Sequence, residues 1–322
     1  MPDNPPRVLI AETLSEVCAD WLARRARVSW CGPDAGAAWA EALAAAEGLI
    51  VRTYTRVDAA MLDAAPRLKV VGRAGVGLDN IDIEACRARG VTVVYTPEAN
   101  TQAVVEYVTA LMLDHHRPRS PMTGPTPPQL FHALRRDLVG RQLDRMTLGI
   151  LGLGRIGRRV GQVGAAIGMK VLANDLLPES ELRPKLACPV EFVDKPTLYA
   201  SSDVLSVHVD GRAGNRHLVG ADALPQLKAS ALLINTSRGF VIDADALREW
   251  ACSTAVRAAG GAAMLDVHEP EPPPPDYPLS GLANVTLLPH IASRTHEAMQ
   301  NMSWVVRDVL AVLEGHPPMH PA

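Results

Sequence analysis

Acidic and imidazole side chains gather in one proline-rich stretch, DVHEPEPPPPDYPLSGLANVTLLPH, which runs from Asp266 to His290. An apolar, strand-like run (AAMLDV) leads into this stretch, and a second such run (NVTLLP) delivers His290. An imidazole can donate and accept a proton near neutral pH, and a neighbouring carboxylate can orient the ring and stabilise its protonated form. The stretch therefore predicts proton transfer by His290, with Glu269 and Glu271 competing to be its carboxylate partner. A core histidine bonded to backbone groups is the alternative.

A glycine-rich loop, LGLGRIG, joins a predicted strand to a predicted helix, GRRVGQVGAAIG. In this context the first glycine makes a tight turn, the second lets a pyrophosphate approach the backbone, and the third allows close packing of helix on strand. The next strand, KVLAND, ends in Asp175, close to the spacing expected for the acid that binds a ribose 2′-hydroxyl, and two leucines follow it instead of a basic pocket. The loop therefore predicts NAD rather than NADP, and a turn that binds nothing is the alternative. The predicted cofactor contacts in this loop are Gly152, Gly154, Arg155, Ile156 and Gly157.

A second glycine cluster, RAGVGLDNID, follows the predicted strand KVV and precedes a helix, but it lacks the third glycine of the dinucleotide pattern. Gly75, Val76 and Gly77 would present successive backbone N–H groups at the carboxyl end of a strand, where α/β folds bind ligands. That arrangement suits a substrate carboxylate. The alternative is a turn in which Asp79 or Asn80 caps the following helix.

The elements that must position these residues alternate along the whole chain. Short β-rich runs such as RVLIA, GLIVR and VTVVYT are separated by segments of helical period, which predicts parallel strands joined by crossover helices. A long amphipathic run, NTQAVVEYVTALMLDHHR, ends in RPRSPMTGPTPP, whose composition predicts a boundary between two modules. The alternation then restarts, and the region from Thr147 to His290 predicts a second parallel sheet of about seven strands. The last segment, THEAMQNMSWVVRDVLAVLEG, predicts one helix.

Length and composition restrict the class of protein. The 322 residues are 48% hydrophobic and carry a formal net charge of −3, which is enough material for a buried core in roughly two domains. The absence of a Lys/Arg-rich run argues against nucleic acid or an anionic membrane as a partner. No secretion signal or membrane-spanning run is recognised, so a cytoplasmic location is expected. The five cysteines show neither disulfide nor metal-ligand spacing, so we expect reduced thiols and no metal site.

Five motifs in order, RAGVGLDNID, LGLGRIG with its downstream aspartate, INTSRG, LDVHEPEP and LLPH, resemble the D-isomer-specific 2-hydroxyacid dehydrogenases, a family that includes phosphoglycerate dehydrogenases and resembles C-terminal binding proteins. The resemblance implies an α/β fold of two doubly wound parallel-sheet domains, with a Rossmann cofactor domain inserted into a flavodoxin-like substrate domain. Residues 1–99 and 291–322 would form the substrate-binding domain, and residues 100–290 the NAD-binding domain. Members of the family are commonly homodimers, so a homodimer is expected.

The resemblance also implies a catalytic set. Arg238, in INTSRG, matches the substrate-binding arginine, and its planar fork of donors suits the carboxylate and carbonyl of a 2-oxo acid. His290 matches the acid/base histidine of the family. The family pattern D-V-F-x-x-E-P falls on Glu271, which is therefore preferred over Glu269 as the partner of His290. His268 replaces the usual aromatic residue, and His268 and Glu269 are expected at solvated loop positions or along the substrate pocket.

Five further positions match cofactor or substrate contacts in the family. Asp266 and Thr236 resemble residues of the nicotinamide pocket, and His208 aligns with a histidine near the cofactor. Thr101 is expected near the cofactor and Asn100 near the substrate, although both also resemble helix caps. The family's usual H-x-P-L-T is HVDGR here, so the loop after His208 departs from the pattern.

The expected function is that of an NAD-dependent oxidoreductase that interconverts a 2-oxo acid and its D-2-hydroxy acid by hydride transfer. Hydride delivery to a ketone leaves an alkoxide that His290 would protonate while Arg238 holds the substrate. An NAD(H)-binding, corepressor-like regulatory protein is an alternative, because C-terminal binding proteins share this architecture and a loop that resembles DVHEPEP. A formate- or phosphite-type dehydrogenase is a third hypothesis. The identity of the acid stays open.

Overall fold

The computed structural model describes residues 5–322 of the chain. In this range short strands and helices alternate as the sequence pattern predicts. The strands are β1 (Arg7–Ile10), β2 (Arg27–Trp30), β3 (Gly48–Val51), β4 (Val70–Arg73), β5 (Thr92–Tyr95), β6 (Thr147–Leu151), β7 (Lys170–Asn174), β8 (Glu191–Phe192), β9 (Val204–Val207), β10 (Leu232–Asn235), β11 (Ala262–Leu265) and β12 (Val285–Leu287). The α-helices are α1 (Glu16–Ala23), α2 (Ala37–Ala45), α3 (Ala59–Asp63), α4 (Ile83–Ala88), α5 (Thr101–His116), α6 (Pro128–Asp137), α7 (Arg155–Ile167), α8 (Glu179–Leu182), α9 (Lys195–Ser201), α10 (Ala244–Cys252), α11 (Thr254–Ala259), α12 (His296–Ser303) and α13 (Val305–Leu313).

The first compact unit contains residues 5–101 together with 293–322. Its five strands are parallel and lie in the order β2-β1-β3-β4-β5, which is the flavodoxin-like order. Every residue of β3 is buried, as expected for a strand that helices cover on both faces. The buried side of α13, with Val305, Val309 and Leu310, packs in one core cluster with residues of β1, β3, β4 and β5. The C-terminal helix therefore completes a core that the N-terminal segment begins.

The second compact unit contains residues 102–292. Its seven strands are parallel and lie in the order β12-β11-β10-β9-β6-β7-β8. Counted from β6, this is the Rossmann order with one further strand at the edge. The predicted fold class is confirmed: the chain is α/β, with two doubly wound parallel sheets, and the Rossmann unit is inserted into the flavodoxin-like unit.

The division between the units differs from the boundary that composition predicted. It falls after Thr101 and after Ala292 rather than within the proline-rich stretch RPRSPMTGPTPP. The reason is that the amphipathic helix α5 buries Val104, Val108 and Met112 in a core cluster of the second unit. The prolines end this helix without separating two modules. The domain limits inferred from the family resemblance were 99/100 and 290/291.

The C-terminal segment, which the sequence predicts as one helix, forms two helices. α12 ends at Ser303 and α13 begins at Val305, with Trp304 between them at φ −66° and ψ −1°. That ψ angle lies well away from the α-helical value of about −42°. The Arg307 guanidinium stacks over the Trp304 ring at 3.8 Å, and Trp21 meets the same ring edge-on at 6.0 Å. The indole between the two helices therefore contacts both α1 and α13.

The carboxyl ends of parallel strands all reach the same edge of a sheet, and ligands of open α/β sheets bind outside that edge. In the second unit the residues that directly follow the strands at this edge are Gly152, Asp175, Val193, His208, Thr236, Asp266 and Leu288. The sheet therefore collects the motifs that are scattered along the sequence. Within residues 5–322 we find no helix that combines the length and apolarity required to span a bilayer.

Candidate active site

The turn between β6 and α7 depends on two glycines. Gly152 has a φ of 95°, in the left-handed region, and a Cβ at this position would lie 2.8 Å from the backbone of His208. A Cβ on Gly157 would lie only 2.1 Å from the carbonyl oxygen of Gly152. The first glycine therefore lets β6 approach the end of β9, and the third lets α7 approach the turn.

Gly154, unlike Gly152 and Gly157, lies in open surroundings. It is the exposed N-cap of α7, and a Cβ added to it would meet nothing within 4 Å. Arg155 and Ile156 begin the helix, no side chain caps it, and the first N–H groups of a helix have no partner within the helix. Open space above an uncapped helix N-terminus suits a pyrophosphate. The residues of this loop therefore fit a bound dinucleotide.

We expect the loop glycines to separate affinity from stability. Gly157→Ala should lower both the affinity for NADH and the free energy of unfolding, the latter by roughly 1–3 kcal/mol, because its methyl group collides with backbone. Gly154→Ala should leave stability intact and weaken only NADH binding, because its methyl group enters the open space. Thermal unfolding and NADH fluorescence titration of both variants would measure this. Equal NADH affinity in Gly154→Ala and the unmodified protein would contradict a pyrophosphate at this position.

Asp175 follows β7 beside the glycine loop. Its Oδ2 accepts a hydrogen bond from the N–H of Leu153 at 2.5 Å, and its Oδ1 accepts one from the N–H of Leu177 at 2.8 Å. Each carboxylate oxygen has a further lone pair for a ligand hydroxyl. The carboxylate is therefore held next to the turn, where its charge would oppose a phosphate group on the ribose.

His208 and Thr236 follow the neighbouring strands β9 and β10. The Nε2 atom of His208 lies 2.8 Å from Ser206 Oγ, and burial lowers the pKa of His208 to about 4, so this imidazole is neutral at pH 7. The Thr236 hydroxyl oxygen is buried and has no hydrogen-bond partner within residues 5–322. Burying a hydroxyl without a partner is unfavourable. A polar ligand group such as the nicotinamide carboxamide would satisfy it, which is a second fit to the cofactor.

His290 and Glu271 form a direct pair. The distance between His290 Nδ1 and Glu271 Oε2 is 2.8 Å, and the two side chains are 41% and 28% exposed. Burial raises the pKa of Glu271, but hydrogen bonds from the His290 ring and from the N–H of His268 outweigh it, so the pKa lies below its usual value. Glu271 is therefore a carboxylate at neutral pH, and it leaves Nε2 of His290 as the ring nitrogen available to a ligand.

The backbone of His290 is in an uncommon conformation. Its φ is 55°, in the left-handed region that non-glycine residues rarely occupy. Such conformations persist only where surrounding contacts hold them, and they cluster at functional sites. Asp266, which is fully buried, supplies two of these contacts: Oδ1 accepts from the N–H of Ile291 at 2.9 Å and Oδ2 from that of Ala292 at 2.8 Å. The strand end of β11 therefore holds the turn that carries His290.

Tyr107, on α5, is a neighbour of this turn that the sequence did not single out. Its hydroxyl hydrogen-bonds to Asp266, and burial together with this carboxylate raises the pKa of Tyr107 to about 12. Burial raises the pKa of Asp266 as well, although the N–H groups of Ile291 and Ala292 oppose that shift. The only sequence signal for Tyr107 is a hydroxyl-bearing residue among the apolar positions of an amphipathic helix, which does not identify its partner.

Glu269 and His268, the other two candidates in the proline-rich loop, differ in burial and in their contacts. Glu269 is exposed and makes a bidentate ion pair with Arg216, at 2.5 and 2.8 Å, so it is not the carboxylate beside His290. The expected solvated position of His268 is wrong: its exposure is 7%, and its ring packs edge-on against Tyr277 with centroids 5.8 Å apart. The chain from Leu265 to His268 is buried without a break, so the imidazole stays inside the protein after β11 ends.

Arg238 lies in a tight turn after β10. The buried amide of Asn235 shapes this turn, because its Oδ1 accepts from the N–H and hydroxyl of Ser237 and its Nδ2 donates to the carbonyl of Arg238 at 2.9 Å. The guanidinium donates one hydrogen bond to the Ser237 carbonyl at 2.7 Å. Arg238 is partly exposed at the same sheet edge as Asp266 and His290. A guanidinium in this place can bind a carboxylate and a carbonyl with two parallel hydrogen bonds.

The glycine cluster of the first unit lies at the carboxyl end of β4. Gly75 has a φ of 152° and its N–H donates to the Arg73 carbonyl, whereas the N–H groups of Val76 and Gly77 form no hydrogen bond with any group in residues 5–322. These two N–H groups can receive an anion. Asn100 lies after β5, and its Oδ1 is buried without a hydrogen-bond partner in the described chain. Both features leave room for a polar ligand at this edge.

The caps of two helices, α4 and α5, differ from the sequence expectation. Asp82, rather than Asp79 or Asn80, caps α4 by accepting from the N–H of Ala85 at 2.8 Å. The side chain of Asn80 instead donates to the carbonyls that follow β3. Because Oδ1 of Asn100 accepts no hydrogen bond from the described residues, Asn100 does not cap α5, and Thr101 is the first residue of that helix. The described residues also contain no group of three or more His, Cys, Asp or Glu side chains that could hold a metal ion.

Comparison with known proteins agrees with this geometry. Residues 109–292 match the family model described as "D-isomer specific 2-hydroxyacid dehydrogenase, NAD binding domain". The chain is 37% identical over 321 residues to a D-3-phosphoglycerate dehydrogenase of Archaeoglobus fulgidus, covering 97% of this chain and 58% of that protein. It is 37% identical to a (S)-sulfolactate dehydrogenase of Chromohalobacter salexigens, covering 94% of this chain and 96% of that one.

A solved structure shows the same fold. The crystal structure of D-lactate dehydrogenase from Aquifex aeolicus, complexed with NAD and lactic acid, has a TM-score of 0.79 and 26% identity, with 96% of each chain covered. The chain spans little more than half the length of the phosphoglycerate dehydrogenase relative but almost all of the sulfolactate dehydrogenase relative. This chain belongs to the D-isomer-specific 2-hydroxyacid dehydrogenase family, and residues 109–292 match the NAD-binding domain of that family.

Proposed function

We propose that this protein is an NAD-dependent dehydrogenase that interconverts a 2-oxo acid and its D-2-hydroxy acid. The observation that carries the proposal is the His290–Glu271 pair, 2.8 Å apart, at the same sheet edge as Arg238 and the glycine loop. The second unit would bind the cofactor, and the first unit would bind the substrate through the open N–H groups of Val76 and Gly77. We propose Asn100 as a substrate contact, because its buried Oδ1 has no hydrogen-bond partner in the described chain, and Thr101 as a cofactor contact.

Each residue of the proposed active site has a separate chemical role. Bound NADH supplies the hydride that reduces the ketone. Arg238 binds the carboxylate and carbonyl oxygens of the substrate and stabilises the negative charge that develops on the carbonyl oxygen. His290 donates its Nε2 proton to that oxygen, and Glu271 stabilises the imidazolium before the transfer and keeps the ring oriented. In the oxidation of the hydroxy acid, the neutral His290 accepts the hydroxyl proton.

We propose further that the substrate carries a second anionic group. Arg52, after β3, is half-buried; its guanidinium donates to the Thr13 carbonyl and to Met299 Sδ, both at 3.1 Å, and it makes no ion pair with a carboxylate in residues 5–322. Burial and the nearby Arg294 lower the pKa of Arg52, while the Glu12 carboxylate, which accepts a hydrogen bond from the Arg52 backbone N–H at 2.9 Å, opposes that shift. The guanidinium groups of Arg52 and Arg294, the first of which is partly buried, favour an anion beside them. The relatives named for phosphoglycerate and sulfolactate agree with such a substrate.

NADH oxidation at 340 nm, with NADPH in parallel, tests the function. We expect turnover of one or more 2-oxo acids, with 3-phosphohydroxypyruvate or 3-sulfopyruvate ahead of pyruvate, glyoxylate and phenylpyruvate. NADH should be preferred by tenfold or more, since a like-charge penalty of about 1.4 kcal/mol between Asp175 and a 2′-phosphate already gives a factor of ten. A preference for NADPH would refute the role proposed for Asp175. NADH binding without turnover of any acid would favour a regulatory, corepressor-like protein.

We also propose a homodimer in the cytoplasm. Apolar side chains are exposed around α6, a helix with no buried residue: Leu130 is 50% exposed, Phe131 42% and Val139 77%. A second copy of the chain would cover them. Sedimentation equilibrium should give twice the chain mass of 34.5 kDa, and Phe131→Glu should give the single mass. The five free cysteines are typical of a reducing compartment, and cell fractionation would test the location.

A further inference from the structure

His268 is a buried imidazole directly behind the proposed proton-transfer pair. It occupies the third position of DVHEPEP, where the family pattern has an aromatic residue, and it is 7% exposed. Tyr277 packs edge-on against its ring, so the site has the shape of an aromatic pocket. A phenyl ring would fill this space as well, so packing alone does not require an imidazole.

Three contacts connect His268 to the three loops that carry Arg238, Glu271 and His290. Its backbone N–H donates to Glu271 Oε1 at 2.8 Å. Its ring Nε2 lies 2.7 Å from the carbonyl oxygen of Leu288, two residues before His290. Its backbone packs directly on Gly239, which follows Arg238: a Cβ on Gly239 would lie 2.0 Å from the carbonyl group of His268. One residue therefore touches the supports of all three proposed active-site side chains.

The contact with Leu288 fixes the tautomer of His268. A carbonyl oxygen can only accept, so Nε2 carries the hydrogen. Nδ1 is then an acceptor, and it is buried without a partner among the described residues. Burying an unpaired acceptor is unfavourable. The gain that offsets it, and that a phenyl ring could not provide, is the hydrogen bond that ties the Glu271 loop to the strand end before His290.

We propose that His268 is a positioning residue that holds Glu271 and His290 in register for proton transfer. The N–H of His268 directs one oxygen of Glu271, so that the other oxygen faces His290, and its ring fixes the carbonyl group that precedes the strained turn. The carboxyl groups of Glu271 and Asp266 both interact with the His290 ring. The inference rests on the proposed dehydrogenase function for its kinetic consequence, but its structural consequence can be measured without turnover.

The kinetic test compares His268→Phe with His268→Gln. The phenylalanine variant keeps the packing and the backbone N–H that bonds to Glu271, but it loses the ring donor to the Leu288 carbonyl. We therefore expect kcat for reduction of the 2-oxo acid to fall roughly ten- to a hundredfold, as expected for a misplaced catalytic group. The KM for the acid and the NADH affinity should change little, and the fall of kcat with rising pH should move to lower pH, because Glu271 supports the imidazolium less well. Glutamine can donate to the Leu288 carbonyl, so His268→Gln should recover most of kcat. His316→Phe, at an exposed histidine, is the matched control.

A second readout keeps this proposal separate from the proposed function. NMR of the ring nitrogens should show His268 as the Nε2–H tautomer, and the signal of the His290 Nδ1 proton, which bonds to Glu271, should be lost or broadened in His268→Phe and recover in His268→Gln. If the unmodified protein turns over no acid, the proposed function fails while this measurement still decides the role of His268. If His268→Phe does not fold, His268→Asn, which is too short to reach Leu288, replaces it. Unchanged kcat and an unchanged His290 Nδ1 proton signal in the variant without the ring donor would overturn the proposal.

Discussion

Replacing His290 with asparagine is expected to lower kcat for the 2-oxo acid by roughly 10²–10⁴-fold, the range typical for removing a general acid or base. Asparagine is the sharper choice because it tolerates the left-handed backbone, at φ 55°, that His290 adopts, so the turn should keep its shape. The amide cannot deliver a proton to the alkoxide. Steady-state kinetics with NADH, together with NADH titration, would show a loss in kcat without a loss of cofactor affinity.

The chain contains a matched control for this variant. His217 also has a left-handed backbone, with φ 52°, and its side chain is partly exposed beside Asp243 at 3.4 Å. His217→Asn should therefore leave turnover close to that of the unmodified protein. Wild-type turnover in His290→Asn would refute the proton-transfer role. A similar loss in both variants would instead mean that the substitution acts through the backbone.

Replacing Arg238 with alanine is expected to lower kcat/KM for the 2-oxo acid by roughly 10²–10³-fold, since it removes charged donors from the substrate oxygens. NADH affinity should be nearly unchanged. Arg238→Lys keeps the positive charge but not the planar fork, so it should recover only part of the loss. Stopped-flow measurement of hydride transfer, with NADH binding followed by fluorescence, would separate the substrate step from the cofactor step.

Stability has to be followed in the same variants. The turn that carries Arg238 is shaped by Asn235 and by packing of Gly239 on the backbone of His268. The side chain of Arg238 is partly exposed, so thermal unfolding of Arg238→Ala should stay close to that of the unmodified protein. Equal losses of NADH affinity and of substrate turnover would show that Arg238 supports the cofactor site rather than the substrate.

The sequence determined the fold class and the edge at which the motifs meet. Alternating strand-like and helical runs can form only a few parallel topologies, and every parallel strand delivers its following residue to the same edge. The role of the glycines in LGLGRIG can also be read from the local sequence, because a positive φ at Gly152 and a backbone contact at Gly157 exclude a side chain at those positions. The motif order was sufficient to identify the family.

Tertiary structure decided the details that depend on residues far apart in the chain. Glu269 and Glu271 are two residues apart in one proline-rich loop, and only the position of that loop against the end of β12 shows that Glu271 contacts His290 while Glu269 contacts Arg216. The burial of His268 and the contact of Tyr107 with Asp266 have the same origin.

The division between the units was decided in the same way, by the packing of α5 in the second core rather than by the prolines that end it. Local pattern limits the conformation of a segment because it acts through backbone sterics and the burial of one face. Pairing between loops is set by which strands become neighbours in the sheet, and contacts of that kind leave no periodic signal in the sequence.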